Sequence, residues 1–233
     1  MRKYACYCLT RNLYPKLVPA LNSLLKNSDV DKVFLVIEDA DPGIPIPDRS
    51  RVECINVSGQ TFFGESCPNA HHKWTYMVLM RVVLSKILPP EVDTVLSLDV
   101  DTIVDADISD LWYFVSHPRW NDCYFAAVRE PLKCSFWADY FNCGVVLWNL
   151  ARMRDGKTDA LVKRLNEHDY IFAEQDCLNE ECVGQVLPIS SKWNVSPFTA
   201  PTSEAKIWHF AAQPDYFETE PLVHKYYYTE VAP

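Results

Sequence analysis

The sequence predicts an α/β protein built on a mostly parallel sheet with helices on both faces, and three observations carry the prediction. Strand, helix and strand patterns follow one another at the start of the chain. The strand-like runs are almost continuously apolar, as strands covered on both faces are. One of them, Thr94 to Leu98, ends in a pair of carboxylates, where open α/β sheets place their ligands.

Taken in order, Tyr4 to Leu9 reads as a buried strand and Thr10-Arg11-Asn12 as the loop after it. A helix begins at Pro15, with Leu17, Leu21, Leu24 and Leu25 at helical spacing, and closes at Lys26-Asn27 and Asp29; Pro19 fits it only within the first turn. Lys32 to Ile37 is the second strand. Asp39 to Ser50 carries Pro42, Gly43, Pro45 and Pro47 and reads as loop, before a third strand over Val52 to Val57. Gly59 to Asn69 is another loop. Helical periodicity runs from Lys73 to Leu88, stops at Pro89-Pro90, and gives way to the central strand that delivers Asp99. Further strands are expected over Cys123 to Val128, Gly144 to Trp148 and Gln185 to Ile189, with a helix from about Ala151 to His168. No repeat or linker divides the chain, so residues 1–233 read as one domain, with a core over about 4–217 and an irregular tail over about 218–233.

Composition narrows the function classes. The 31 acidic against 22 basic residues give a net charge of −9, which argues against a protein that grips nucleic acid backbone. The 13% aromatic content suits stacking on sugars or bases as well as core packing. Nine scattered cysteines with no CxxC pair read as reduced thiols. Met1-Arg2-Lys3 leads into a run too short and polar for a signal core, and no apolar run reaches the roughly 18 residues of a membrane-spanning helix, so the expected location is the cytoplasm.

The motif with the most chemistry is Leu98-Asp99-Val100-Asp101-Thr102. Two carboxylates one residue apart at the edge of a buried strand repel each other and lose hydration, and a hard divalent cation is the simplest means of keeping both ionised. Such a cation bridges naturally to phosphates. An exposed Asp-x-Asp turn is the alternative, and the pair alone does not decide between them.

Further blocks extend the pattern. In chain order they are Leu9-Thr10-Arg11-Asn12-Leu13-Tyr14, Arg81, the Asp pair, Phe141-Asn142-Cys143-Gly144-Val145-Val146, Glu174-Gln175-Asp176-Cys177-Leu178-Asn179, and Ile207-Trp208-His209-Phe210. This ordered set resembles glycosyltransferase family 8, the retaining group that includes glycogenin and bacterial galactosyltransferases. The resemblance implies a GT-A-type nucleotide-sugar-binding fold with a mixed, mostly parallel central sheet. It also implies a hexose donor of the nucleoside diphosphate type, with UDP-glucose or UDP-galactose expected, and a glycan, lipid-linked sugar or protein hydroxyl as acceptor. Leu9, Thr10, Asn12 and Tyr14 then hold the nucleoside, Asp99, Asp101 and His209 bind Mn²⁺ or Mg²⁺, and Val100 and Gly144 border the donor. The imidazole favours Mn²⁺ within that set. Arg81 and Asn142 contact the donor sugar or phosphates, Glu174 hydrogen-bonds sugar hydroxyls, and Gln175 stabilises positive charge on the sugar. After His209 the family continues to a Gly and Lys-Pro-Trp, whereas this chain has Ala212, Gln213, Pro214 and Asp215. Neutralising the diphosphate is thus expected to rest on the metal and Arg81.

Retention requires either a covalent intermediate or front-face attack, and an amide at Gln175 is a poor nucleophile, which favours the second. Two other classes compete. A haloacid dehalogenase-like phosphohydrolase also uses Asp-x-Asp at a strand end, but early in the chain and followed by Gly-Thr. A non-catalytic nucleotide-sugar-binding protein would share the fold without transfer. The Tyr226 to Tyr228 run is a weaker candidate for an acceptor surface or self-glycosylation site.

Overall fold

A computed structural model describes residues 1–71, 75–131 and 139–227. The start of the expected helix at Lys73, Cys134 of the cysteine set and Tyr228 of the aromatic run lie outside the described residues.

Among the described residues, seven strands form the main sheet: β1 (Tyr4–Cys8), β2 (Lys32–Ile37), β3 (Val52–Asn56), β4 (Thr94–Leu98), β6 (Phe125–Arg129), β7 (Phe141–Asn149) and β8 (Val186–Ile189). Their spatial order is β3-β2-β1-β4-β7-β6-β8. The first four lie parallel; β7 runs antiparallel to both neighbours, and β8 returns parallel to β6. The sheet is therefore mixed and mostly parallel, as expected. A small ladder, β5 (Thr102–Val104) against β9 (Ile207–His209), lies beside it.

Period-two alternation divides the core between the two faces of the sheet. Cys6, Phe34, Val36, Val95, Phe125 and Trp148 pack under the helical segment Tyr76–Val83, its continuation α2 (Leu84–Ile87), and the helices α4 (Lys157–Glu167) and α5 (Ala173–Glu181). Ala5, Tyr7, Leu35, Leu96, Leu98 and Leu147 face the opposite layer, led by α1 (Tyr14–Lys26) with Trp112, Trp120 and Trp193.

Several expectations are corrected. α1 opens at Tyr14, one residue before Pro15, after a 3-10 turn over Arg11–Leu13, and Pro19 lies beyond its first turn. The backbone donor missing at Pro19 is offset by burial of Leu17, Leu21, Leu24 and Leu25. The segment over Tyr76–Val83 is 3-10 in character, and only Leu84–Ile87 is α-helical. The helix expected from Ala151 to His168 is two, α3 (Leu150–Met153) and α4, separated at Gly156, whose φ of 89° suits glycine. The tail after Pro214 is helical where described, with α6 (Tyr216–Thr219) and α7 (Pro221–Tyr227). Asn22 Nδ2 donates to the Tyr226 carbonyl (2.9 Å), and the Tyr226 hydroxyl donates to Asp105 (2.7 Å), so α7 is fastened onto α1 and the end of β5.

Candidate active site

The Asp pair leaves the carboxyl end of β4 as a turn held at three points. The Asp99 N–H donates to the Gly144 carbonyl (2.8 Å), the Thr102 hydroxyl to the Asp99 carbonyl (2.7 Å), and the Phe210 N–H to the Asp101 carbonyl (2.9 Å). Val100, between the carboxylates, packs against the core. The β5–β9 register sets Thr102 opposite His209, which brings the imidazole to the carboxylates across more than a hundred residues of sequence. His209 Nε2 lies 3.4 Å from Asp101 Oδ1 and 3.7 Å from Asp99 Oδ2, and one ligand atom from each of the three residues falls within 4.8 Å of the others. Neighbouring ligands of an octahedral Mg²⁺ or Mn²⁺ stand about 3 Å apart, so this donor set fits such a cation after a small contraction.

Behind His209 runs a chain of buried amides. His209 Nδ1 meets Asn194 Oδ1 at 2.9 Å, Asn194 Nδ2 donates to Asn142 Oδ1 at 2.7 Å, and Asn142 Nδ2 donates to the Glu130 carboxylate. Because a carboxylate only accepts, the donors all run one way, so the proton sits on Nδ1 and Nε2 faces the aspartates. Asn142 lines the cleft, yet its oxygen also accepts from the Gly144 N–H (2.9 Å), so most of its hydrogen-bonding capacity is spent on this frame.

Gly144 has its own reason. A Cβ there would lie 2.1 Å from His209 Cε1, so only glycine leaves room for the ring. The register of β7 against β6 also shifts here: Ala127 pairs with Val146 and Arg129 with Phe141, a bulge spanning Asn142–Gly144. Bulges beside active sites re-aim side chains. This one moves residues 141 and 143 and residues 146 and 148 onto the same face despite the odd and even numbering.

Arg81 is buried between acids. Its guanidinium donates to Asp99 and to the Cys143 carbonyl, and its Nε stands 3.4 Å from Glu174 Oε1. Burial works against its charge, and the carboxylates of Asp99 and Glu174 outweigh that. For His209, burial again opposes the charged form and Asp101 overrides it, raising the pKa. Asp101 is held below its ordinary value by His209 although burial pulls it up.

Burial pushes the Glu174 carboxyl up to about 7, against Arg81 and with help from Asp99. The native state thus holds this proton more tightly than the unfolded chain, and its contribution to stability is lost as pH rises from about 4.5 through about 7. Metal-free Glu174→Gln should lack that fall, so the wild type should lose on the order of 3 kcal/mol relative to the variant across this window. Denaturant unfolding of both proteins at several pH values checks it; parallel profiles would show Glu174 ionised throughout.

Gln175 Oε1 accepts from the Cys143 N–H (2.9 Å) and its Nε2 donates to the Tyr140 hydroxyl (3.1 Å), while Asn179 exchanges two hydrogen bonds with the backbone of Phe141. These amides sew α5 to the bulged strand. Ala173 and Ala212, at the edges of the site, have φ of 43° and 58°, left-handed values that cost an L-residue about 1–2 kcal/mol.

These groups meet in one cleft of about 330 Å³, where Arg81, Asp99, Asp101, Asn142, Gly144, Glu174, Gln175 and His209 line the wall with Glu130, Phe172 and Phe198. The residues of the first loop stand apart from that lining. Leu9 is buried in the core, Thr10 donates to Asn12, and the Tyr14 hydroxyl donates to Asp39 (2.8 Å), which also accepts from Arg11. They share the sheet edge with the Asp pair because β1 pairs directly with β4, Tyr7 opposite Leu98. Glu130 and Asn194 were invisible to motif reading. Each is a single polar residue in a short connection, and only its burial marks it.

The fold is that of solved GT-A glycosyltransferases. The chain superposes on the glycosyltransferase GlyE of Streptococcus pneumoniae TIGR4 with a TM-score of 0.73 at 17% identity, covering 99% of this chain and 61% of that one. It superposes on the galactosyltransferase LgtC, solved with donor and acceptor sugar analogs, with a TM-score of 0.70 at 18% identity, covering 99% and 97%. By sequence it is 28% identical over 150 residues to the Homo sapiens xylosyl- and glucuronyltransferase LARGE2, a stretch that covers 55% of this chain and 20% of that protein. The chain therefore spans a minor part of that curated relative. The model of glycosyl transferase family 8 matches residues 5–214, and with the ordered motifs assembled on this sheet the chain belongs to that family of glycosyltransferases.

Proposed function

We propose that this glycosyltransferase is metal-dependent and retaining, and moves a hexose from UDP-glucose or UDP-galactose to a hydroxyl of a glycan, lipid-linked sugar or protein. The observation that carries the reading is the convergence of Asp99, Asp101 and His209 at the carboxyl end of β4, beside the buried Arg81. These three side chains would hold Mn²⁺ or Mg²⁺, which supplies Lewis-acid stabilisation of a departing diphosphate.

The protein's own groups do the positioning. Arg81 fixes the orientation of Asp99 and Glu174, and the Asn194–Asn142–Glu130 chain fixes His209. Thr10 and Asn12, on the same sheet edge, are assigned to the nucleoside end. Glu174 and Glu130 both line the cleft, and their carboxyl groups favour a neutral sugar over an acidic one. Phe172 and Phe198 give the cleft an apolar wall that limits water. Front-face attack is the proposed route to retention: the amide of Gln175 is a weak nucleophile already bonded to Cys143 and Tyr140, and Glu174 is held by Arg81.

Calorimetric titration of uridine diphosphate into the protein with and without Mn²⁺ tests the reading, followed by hydrolysis of the two UDP-hexoses. Binding should depend on the metal, and sugar should leak slowly to water. Nucleotide binding indifferent to Mn²⁺ would sink the metal claim, and metal-dependent binding with no hydrolysis or transfer would make the protein a binding module.

A further inference from the structure

Gln175 follows Glu174 on α5 and lines the same cleft, but its amide has two unlike ends, one an acceptor and one a donor. Which end faces a bound sugar matters. As the bond between the anomeric carbon and the phosphate oxygen breaks, its electron pair leaves with the diphosphate and the sugar ring gains positive charge. An amide oxygen facing that charge lowers the barrier, whereas an amide N–H in the same place raises it. The two ends differ little in shape, so neighbouring groups decide how the amide stands.

Both ends of this amide meet groups of fixed polarity. Oε1 accepts from the Cys143 N–H (2.9 Å), which can only donate. Nε2 donates to the Tyr140 hydroxyl (3.1 Å), a group that by itself can donate or accept. Asp176 removes that freedom. The phenol donates its single proton to Asp176 Oδ1, and a carboxylate only accepts, so toward Gln175 the phenol can only accept. Burial, and then the bond to Asp176, disfavour loss of that proton. Cys143 is part of the described cleft lining and Tyr140, 1% exposed, is not, so the amide oxygen stands at the cleft end. The frame is braced on each side. The Tyr140 carbonyl accepts from the Glu130 N–H (2.7 Å), Asp176 Oδ2 from the Phe172 N–H (2.9 Å), and the Gln175 carbonyl from Asn179 Nδ2 (2.8 Å).

We propose that Tyr140 and Asp176 are positioning residues for sugar transfer, a role that rests on the donor reading above: Asp176 holds the phenol proton, the phenol holds Gln175 Nε2, and Oε1 is left toward the sugar. Hydrolysis of the UDP-hexose by the full chain in Mn²⁺ reads this, because water stands in for the acceptor. Gln175→Ala should lower kcat on the order of 10²-fold, the scale of one well-placed electrostatic group. Tyr140→Phe keeps the ring and frees one end of the amide while Cys143 still restrains the other, so kcat should fall about 10-fold. Asp176→Asn keeps the shape, but its amide can donate to the phenol, whose proton then turns to Gln175 and favours the reversed amide; kcat should again fall about 10-fold. In both variants KM for the donor and affinity for uridine diphosphate should stay within about twofold, since only the transition state is affected.

The phenol acts only through the amide, which sets the deciding comparison. In a Gln175→Ala background, Tyr140→Phe should change kcat by less than about twofold. A fall of about 10-fold in both backgrounds would make the phenol a structural prop and overturn the proposal. So would a Tyr140→Phe kcat within about twofold of wild type, which leaves the donor reading standing. A Gln175→Ala protein that hydrolyses donor at the wild-type rate removes the charge role of Gln175 and the positioning role with it. Wild-type protein that hydrolyses neither UDP-hexose removes the transfer reading itself, and the proposal falls with it.

Discussion

Asp101→Asn is expected to lower sugar transfer and donor hydrolysis on the order of 10³-fold or more, with the fold intact. Asn preserves the shape of the side chain and one oxygen, and removes the anionic ligand. The carboxylate of Asp101 is the nearer of the two to His209 Nε2, so in the proposed metal site its loss would weaken a cation at two ligands at once. Stabilisation of developing negative charge by one well-placed group is worth roughly 10²–10³ in rate, and a metal holding a leaving diphosphate supplies several kcal/mol more. The Asp101 backbone keeps its bond from Phe210, so the turn has no reason to unravel. The checks are transfer rate at saturating Mn²⁺ and Mn²⁺ affinity in the absence of nucleotide. An Asp101→Asn protein that binds Mn²⁺ normally and still hydrolyses donor would remove Asp101 from the metal site.

Much of this arrangement could be read from the chain. The β1, β2 and β4 strands were visible because both faces of each are apolar, and the Asp pair was visible because charge follows directly on the buried run ending at Leu98. His209 was legible through its apolar approach, Ile207 and Trp208, which is now the β9 strand. Less legible was whatever depends on a partner distant in sequence. The Ser191–Trp193 turn carries no pattern that announces Asn194 as the support of His209; the role exists only because the Val195 N–H donates to the Ile207 carbonyl and lays this segment beside β9. The start of β7 was missed because a bulge breaks its alternation at Asn142–Gly144, where the strand adapts to the site. The tail read as irregular because α6 and α7 are short, and their helicity comes from docking on α1 and the β5–β9 ladder, which propensity does not record.

The same logic yields the sharpest test of how β7 and β9 depend on each other. Gly144→Ala adds one methyl group, which would lie 2.1, 2.7 and 2.8 Å from His209 Cε1, Nδ1 and Nε2, closer than side chains approach one another in real structures. Neither partner can step aside cheaply. The Gly144 N–H is taken by Asn142 Oδ1 and its carbonyl by the Asp99 N–H, so moving the strand moves the Asp99–Asp101 turn; the ring is held by Asn194, itself bound to Asn142. The variant should therefore lose about 1–3 kcal/mol of stability to overpacking. It should also lose Mn²⁺ affinity by at least the 10–100-fold that follows when the supports of a ligand are disturbed. The two losses have one cause, which a double-variant cycle exposes. His209→Ala alone removes the ligand and leaves a gap; combined with Gly144→Ala, the new methyl group enters that gap. The pair should then be more stable than the sum of the single changes predicts by about 1–3 kcal/mol, while Mn²⁺ binding stays lost in both proteins that lack His209. Additive stabilities would mean that the strand yields to the methyl group without moving the imidazole, and normal Mn²⁺ affinity in Gly144→Ala would take His209 out of the ligand set.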